Sequence, residues 1–473
     1  MRRAFLVAIL LFSCARPLAA QSETKDETRN ETKLGAEWRN ERKSLGGCKR
    51  FSGLVGCAET AFSGQPFHIA VGSIAPQNGF GAGAAFVAHW TPNESWRLSW
   101  DVDAIGSING SWRAGAYMKA IYTRPKKTTE SRGRHSQQVQ PNDTEDPVFH
   151  LYAQTISLNK ITYFGLGPNT SRSGQTFYGM RETIPGINGW WPVWQPPKVE
   201  LSLFGEFNGR FIEIRPSPGQ PSPSIEQIYT EATAPGLTSQ PGFVEQGEGL
   251  LLKTKPALWN DRVRLNYRVG YDQFWAPAAS RFGFGRFTTD LSHQIALHST
   301  TKTYLPGYQN GPDECSESLD KPSCPAVTKN LDGSIDLRFF LSESLTDQGH
   351  VVPFYLQPTL GGSDINGNSV LASFEDYRFR APKVFFLHQG LEHSIGKWPL
   401  GVALAADEGE VALSGSSFGS GPWRRSYSAG LTIRAGGFPQ VWLLFAWGGN
   451  EGTHTIANVN TSLLGGAARP SLY

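Results

Sequence analysis

Along most of the chain, apolar and polar residues alternate with a period of two. In Arg262–Asp272, the residues Val263, Leu265, Tyr267, Val269 and Tyr271 oppose Arg262, Arg264, Asn266, Arg268 and Asp272. In Ser95–Ala104, Trp96, Leu98, Trp100 and Val102 oppose Arg97, Ser99, Asp101 and Asp103, and the contrast returns near 287–297, 335–341 and 427–433. A period of two places alternate side chains on opposite faces of a strand, whereas the 3.6 period of amphipathic helices is almost absent. Arginines sharing one strand face cannot sit unpaired in a dry core. A soluble sandwich turns its apolar face inward; a membrane barrel turns it to lipid and keeps the charged face in a wet lumen. Segments of about ten residues, their large number and aromatics at their ends favour the barrel.

Counting from Gly79 gives about sixteen strands, an even number as bacterial barrels require. The first is expected at 79–91, the eleventh at 352–361 and the last at 453–465. The fold class is therefore all-β: a transmembrane antiparallel β-barrel over residues 79–473. If the first strand runs outward, the long connections 125–146, 300–332 and 362–382 face outside. Short ones such as 106–110, 397–398 and 437 face the periplasm, with the Pro- and Ser-rich 216–240 as an exception. The cluster Trp190-Trp191-Pro192-Val193-Trp194 falls at the outer rim, where indoles suit the headgroup region.

Composition adds the compartment. Residues 1–20 read as a signal peptide: Arg2 and Arg3, an apolar stretch Ala4–Ser13, and Leu18-Ala19-Ala20 before the cut. Residues 21–78 form a polar N-terminal periplasmic segment with one disulfide loop. Beyond Cys14, four cysteines fall as two local pairs, and in an exported chain Cys48–Cys57 and Cys315–Cys324 are expected disulfides. Neither pair has the short spacing or the histidines of a zinc site, so no metal and no cofactor are expected. The net charge of +3 and the lack of a basic stripe give no reason to invoke nucleic acid. There is no G-x-S-x-G, H-E-x-x-H or G-x-x-x-x-G-K-[ST]. Asp407 and Glu408, as strand neighbours, point to opposite faces, as do Ser292 and His293. The chain is not expected to be an enzyme.

One stretch stands apart: Gly361–Pro382, GGSDINGNSVLASFEDYRFRAP. A glycine pair opens it, Arg378-Phe379-Arg380 close it, and Asp407-Glu408-Gly409 follows in the next strands. In these motifs the chain resembles the outer-membrane assembly-factor barrels, the BamA/TamA-like superfamily also called bacterial surface antigen. Gly361-Gly362 closes a strand as in that family. Leu371-Ala372-Ser373-Phe374 stands where the family carries L/V-R-G-F/Y at the tip of its sixth external loop, keeping Leu371 and Phe374 but not the arginine and glycine. Tyr377-Arg378-Phe379-Arg380 matches the extension. Glu392 sits at a strand glutamate, and Ala405-Ala406-Asp407-Glu408-Gly409 parallels F-x-D-x-G through Asp407 and Gly409. Tyr163–Thr170 with Tyr178 and Arg181 matches a mid-barrel strand–turn–strand element.

The resemblance covers about 79–465 and implies a loop folded into the lumen, in which Arg378 or Arg380 meets Asp407. The family's POTRA domains are not expected in 21–78. It further implies a cell outer membrane location and a role in outer-membrane biogenesis, by insertion or export of proteins or lipids. The expected partners are outer-membrane lipid and unfolded outer-membrane proteins or a separate periplasmic protein, with the barrel a monomer. The alternative from a different class is a passive porin, leaning to anions through Arg262, Arg264, Arg268, Arg286 and Arg338.

Overall fold

The computed structural model describes residues 66–93, 95–123, 147–254, 262–306, 323–396, 398–435, 438–449, 451–459 and 469–472. Its strands are β1 (Phe67–Ser73), β2 (Phe80–Asn93), β3 (Trp96–Ser107), β4 (Trp112–Tyr122), β5 (Val148–Tyr163), β6 (Thr176–Trp194), β7 (Val199–Pro216), β8 (Phe243–Thr254) and β9 (Val263–Trp275). They continue with β10 (Phe284–Pro306), β11 (Ser323–Leu345), the short β12 (Thr359–Leu360) and β13 (Phe379–Arg380), β14 (Lys383–Ser394), β15 (Leu400–Ala412), β16 (Arg424–Ala435), β17 (Phe438–Trp447) and β18 (Thr453–Val459). All except β12 and β13 form one 16-stranded sheet in which sequence neighbours pair antiparallel. Among the described residues, β1 and β18 each pair on one side only. None of the helices there is long and apolar enough to cross a membrane.

The two faces are inverted relative to a soluble protein. Trp100, Val102, Leu151, Leu203, Phe207, Leu250, Phe287, Leu337, Val402, Leu404, Leu431 and Phe445 are exposed, whereas Asp103, Arg113, Glu182, Arg210, Glu245, Arg286, Glu392, Asp407 and Arg434 are buried. Apolar surface of that extent is stable only against lipid, and buried charge only where partners meet it. The chain is a transmembrane β-barrel of the outer membrane, with its apolar band outside.

Two differences from the sequence reading compensate each other. The barrel begins at Phe67, because 67–73 pairs with β2 from Phe67↔Phe86 to Ser73↔Phe80. The segment 352–361 is not a barrel strand. Val352, Phe354, Tyr355, Leu356 and Leu360 are instead buried inside. The extra strand reverses the side of every connection up to 307–322, and the missing one restores it. The ends of β4 and β10 and the starts of β5 and β11 therefore lie opposite to 346–382, and 217–242 lies at the same end as 346–382. Trp191 and Trp194 are exposed at the rim opposite 346–382. The residues 1–20, Cys48, Cys57 and Cys315 lie outside the described residues. Cys324 is in β11, opposite Leu305, rather than in a loop.

The end bearing 346–382 is closed by a cap. The connections 74–79, 164–175, 217–242, 276–283 and 346–382 converge there, and Ile74, Tyr163, Tyr178, Ile225, Ala234, Phe282, Phe354, Tyr355 and Tyr377 share one apolar core. Edge-on aromatic contacts tie Phe354 to both Tyr163 and Tyr178, at 5.1 and 5.2 Å between ring centroids. Strands far apart in the sheet thus meet around one interior. Glu231 pins the 217–242 connection. Its carboxylate accepts from the Gly236 and Thr238 amides at 2.8 and 2.9 Å and from Arg281 at 3.0 Å. Burial pushes this carboxyl up, but those amides, the Thr238 hydroxyl and the Arg281 guanidinium together hold it below the usual carboxylate range.

Candidate functional site

The connection between the eleventh and twelfth barrel strands, β11 and β14, folds into the lumen. Its stem is the hairpin of β12 and β13, pairing Thr359↔Arg380 and Leu360↔Phe379. The glycine pair makes this geometry possible. Gly361 and Gly362 have φ of 111° and 60°. A Cβ on Gly361 would lie 2.6 Å from Arg378 Cβ, and one on Gly362 would lie 2.5 Å from the Asp376 amide nitrogen. Only glycine meets both demands without strain. The Gly361 and Gly362 amides donate to the Val370 and Leu371 carbonyls at 3.0 and 3.1 Å, which turns the tip back on the stem. Leu371 itself adopts φ 54°, a conformation uncommon outside glycine, and is held in it by complete burial.

The tip packs on the wall through glycines of the barrel. Leu360, Leu371, Phe374 and Phe379 form an apolar cluster with Val384, Phe386 and Val411. A Cβ on Gly409 would stand 2.9 Å from Leu360 Cδ2, and one on Gly449 would stand 2.4 Å from Phe374 Cζ. The role of Gly409 is thus to let the loop lie flat against β15. The Ser373 amide donates to Ser426 Oγ at 2.8 Å, and Ser426 is the residue opposite Asp407 on β16.

The loop therefore arrives beside Asp407, but neither arginine pairs with it. Asp407 Oδ1 lies 2.6 Å from His388 Nδ1, its neighbour on β14. Arg378, almost fully buried, binds Glu451 of the 448–452 connection at 2.6 Å, and Thr170 Oγ1 and O at 2.8 and 2.9 Å. Its guanidinium is also stacked between Phe164 and Phe379, at 4.8 and 4.5 Å. Arg380 donates to the Phe354 carbonyl at 2.7 Å and to Tyr178 Oη at 3.2 Å. The expectation of an Arg–Asp407 pair fails because both arginines leave the loop at its stem, toward the cap, while Asp407 lies deeper beside the tip. At the tip, Ala372 carries no charge, and the His388 imidazole is the side chain hydrogen-bonded to Asp407. Glu392 belongs to neither group. It pairs with Arg434 and accepts from Thr432 Oγ1 at 2.9 Å, toward the far rim.

A second interior cluster carries no sequence motif. Arg210, on β7, is fully buried and binds Glu182 at 2.9 Å and Glu245 at 2.5 Å. The alternation of β7 places Arg210 on the inner face, and that was its one signal. Lower in the lumen the polar side chains are wetter. Arg338 pairs with Asp290 at 2.8 Å with both side chains more than a quarter exposed. Lys119, Arg264 and Arg268 are exposed. The lumen is thus filled from the capped end and open as a charged vestibule toward the other.

The chain thus has sixteen strands in one antiparallel sheet, with an inward connection between the eleventh and twelfth. No protein-family model matches the chain, and no curated protein does. Among solved structures, CdiB from Acinetobacter baumannii matches with 12% identity and a TM-score of 0.44, over 82% of this chain and 57% of that one. CdiB from Escherichia coli matches with 10% identity and a TM-score of 0.46, over 82% and 61%. BamA from Haemophilus ducreyi lacking POTRA domains 1-3 matches with 11% identity and a TM-score of 0.43, over 83% and 67%. The chain thus spans less than two thirds of the length of either CdiB chain.

Proposed function

We propose that this barrel handles polypeptide at the outer membrane, by inserting or exporting proteins, and is not an open pore. The observation behind this reading is the graded interior. The 346–382 connection closes one end through buried groups packed into one apolar core, whereas the other end is a wet, charged vestibule that an unfolded chain can enter. A passive porin needs a continuous water path. Of its five candidate arginines, Arg286 is buried against Ser344 and the Leu356 carbonyl and Arg338 is paired. In the proposed role the chain acts as a monomer against outer-membrane lipid, with unfolded outer-membrane proteins or a separate periplasmic protein as partners. No catalytic step is included in this reading.

Planar-bilayer recording of the purified chain tests the closed lumen. Small, erratic conductance is expected, and large, steady, anion-selective conductance would overturn the reading. Depletion in the source cell followed by an outer-membrane proteome and lipid survey tests the role. Loss of a defined set of outer-membrane proteins is expected; an unchanged proteome removes the protein-handling reading.

A further inference from the structure

Residues 469–472 lie inside the lumen, against the inward loop and two walls of the barrel. Arg469 Nη2 is 2.9 Å from Asp103 Oδ2 on β3. Arg210 Nη1, already held by two glutamates, donates a further bond to the Ser471 carbonyl at 3.1 Å. The Leu472 amide donates to Asn366 Oδ1 at 2.9 Å, and Asn366 Nδ2 donates to Ser471 Oγ at 3.2 Å. Leu472 is buried in the same apolar cluster as Tyr117, Tyr152 and Ile365.

We propose that Asp103, Arg210 and Asn366 form a binding site for extended polypeptide, filled at rest by this chain's own residues 469–472. Two of the four polar contacts are to main-chain atoms, which every polypeptide carries in the same spacing. The other selective elements are a carboxylate for one basic side chain and an apolar recess three residues further on. Arg113 also faces Asp103, at 3.7 Å, and Glu182, Glu206 and Glu245 stand around Arg210, so with Asp103 four carboxylates face two guanidiniums and the surroundings still favour a cation. Unused capacity remains there. Asp103 Oδ1, Glu182 Oε2 and Asn208 Oδ1 are buried without a hydrogen-bond partner among the described residues, a costly state that a larger peptide would relieve. The preferred occupant is therefore an extended segment with a basic residue three positions before an apolar one. Cargo carrying such a segment displaces residues 469–472 on entering from the vestibule. For its biological meaning this inference rests on the polypeptide-handling reading above.

The test uses the purified barrel and a fluorescein-labelled peptide AARPSLY, the sequence of residues 467–473, followed by fluorescence anisotropy. A tethered segment competes at an effective concentration on the order of millimolar. A variant lacking residues 469–473 should therefore bind the free peptide at least about tenfold more tightly than the full chain. Replacing the peptide's arginine by glutamate should weaken binding to that variant by about tenfold or more, the loss expected of one charge-assisted contact. Equal binding by both proteins, no binding by the truncated barrel in its heat-modifiable folded form, or indifference to the charge reversal would each overturn the proposal. Should the truncated chain fail to fold, full-length Arg469→Glu carries the test. It should bind the peptide better than the parent, and no gain would overturn the site. Peptide binding together with an unchanged outer-membrane proteome on depletion would leave the site standing and remove the polypeptide-handling role. A changed proteome without peptide binding would remove the site alone.

Discussion

Replacing Arg378 by alanine tests the anchoring of the inward loop. The side chain ties the loop stem to two cap connections at once, through Glu451 and through Thr170. Its removal strands the Glu451 carboxylate, whose side chain is 12% exposed. Stranding one member of a fully buried pair costs roughly 3–5 kcal/mol, and an exposed pair about 0–1. With water able to reach Glu451 in part, the pair belongs near the lower end of the buried range. Lost stacking on Phe164 and Phe379 adds about 0.5–1 kcal/mol. The expected destabilisation of Arg378→Ala is about 3.5–4 kcal/mol.

The loss of stacking and of the Thr170 bonds is common to both arms of a double-mutant cycle with Glu451→Gln and cancels. The remaining coupling should be about 1.5–2 kcal/mol. Urea unfolding of the purified barrel in detergent, followed by tryptophan fluorescence, measures each arm. A parallel cycle of Arg378→Ala with Asp407→Asn should be additive within about 0.5 kcal/mol, since the two groups share no partner. Additivity with Glu451, or strong coupling with Asp407, would refute this account of how the loop is held.

Two further outcomes follow from the same geometry. Gly449→Ala should loosen the loop tip, because its Cβ would collide with Phe374 at a φ of 64°. The loss should be about 2–3 kcal/mol with a lower temperature for the heat-modifiable gel shift, partly restored by adding Phe374→Leu, which relieves the collision but not the backbone strain. Glu231 titrates below its unfolded value, so its stabilisation is complete above the unfolded pKa of about 4.3 and is lost as pH falls through the lower folded one. Protection factors of the 217–242 amides, with the intrinsic exchange rate at each pH divided out, should fall on acidification through that window, and a Glu231→Gln barrel should lack that part of the fall.

The alternation of polar and apolar residues marked the strands, and their length, their number and the aromatics at their ends were needed to read the barrel and its inversion. The side a strand residue faces follows from chain geometry, and arginines on one face cannot go into dry apolar surroundings. The inward connection was legible through the resemblance carried by Gly361-Gly362 and Tyr377-Arg378-Phe379-Arg380. Strand identity was less so. The run 352–361 is apolar because the cap surrounds it on all sides, and apolarity alone does not separate a strand from a buried irregular segment. Pro353 and Pro358 within it were the signal against a central strand. Conversely, 67–73 is a short run whose strand character rests on its partner β2.

What tertiary structure alone decided is which charges meet. Asp407 takes His388 from the adjacent strand, and Arg378 takes Glu451, 73 residues away. Arg210 gathers Glu182, Glu245 and the Ser471 carbonyl from three separate segments. Sequence settles which face of a strand a charged group occupies, because that follows from one residue's neighbours. Its partner depends on the curl of the sheet and on the convergence of connections, which no local pattern encodes.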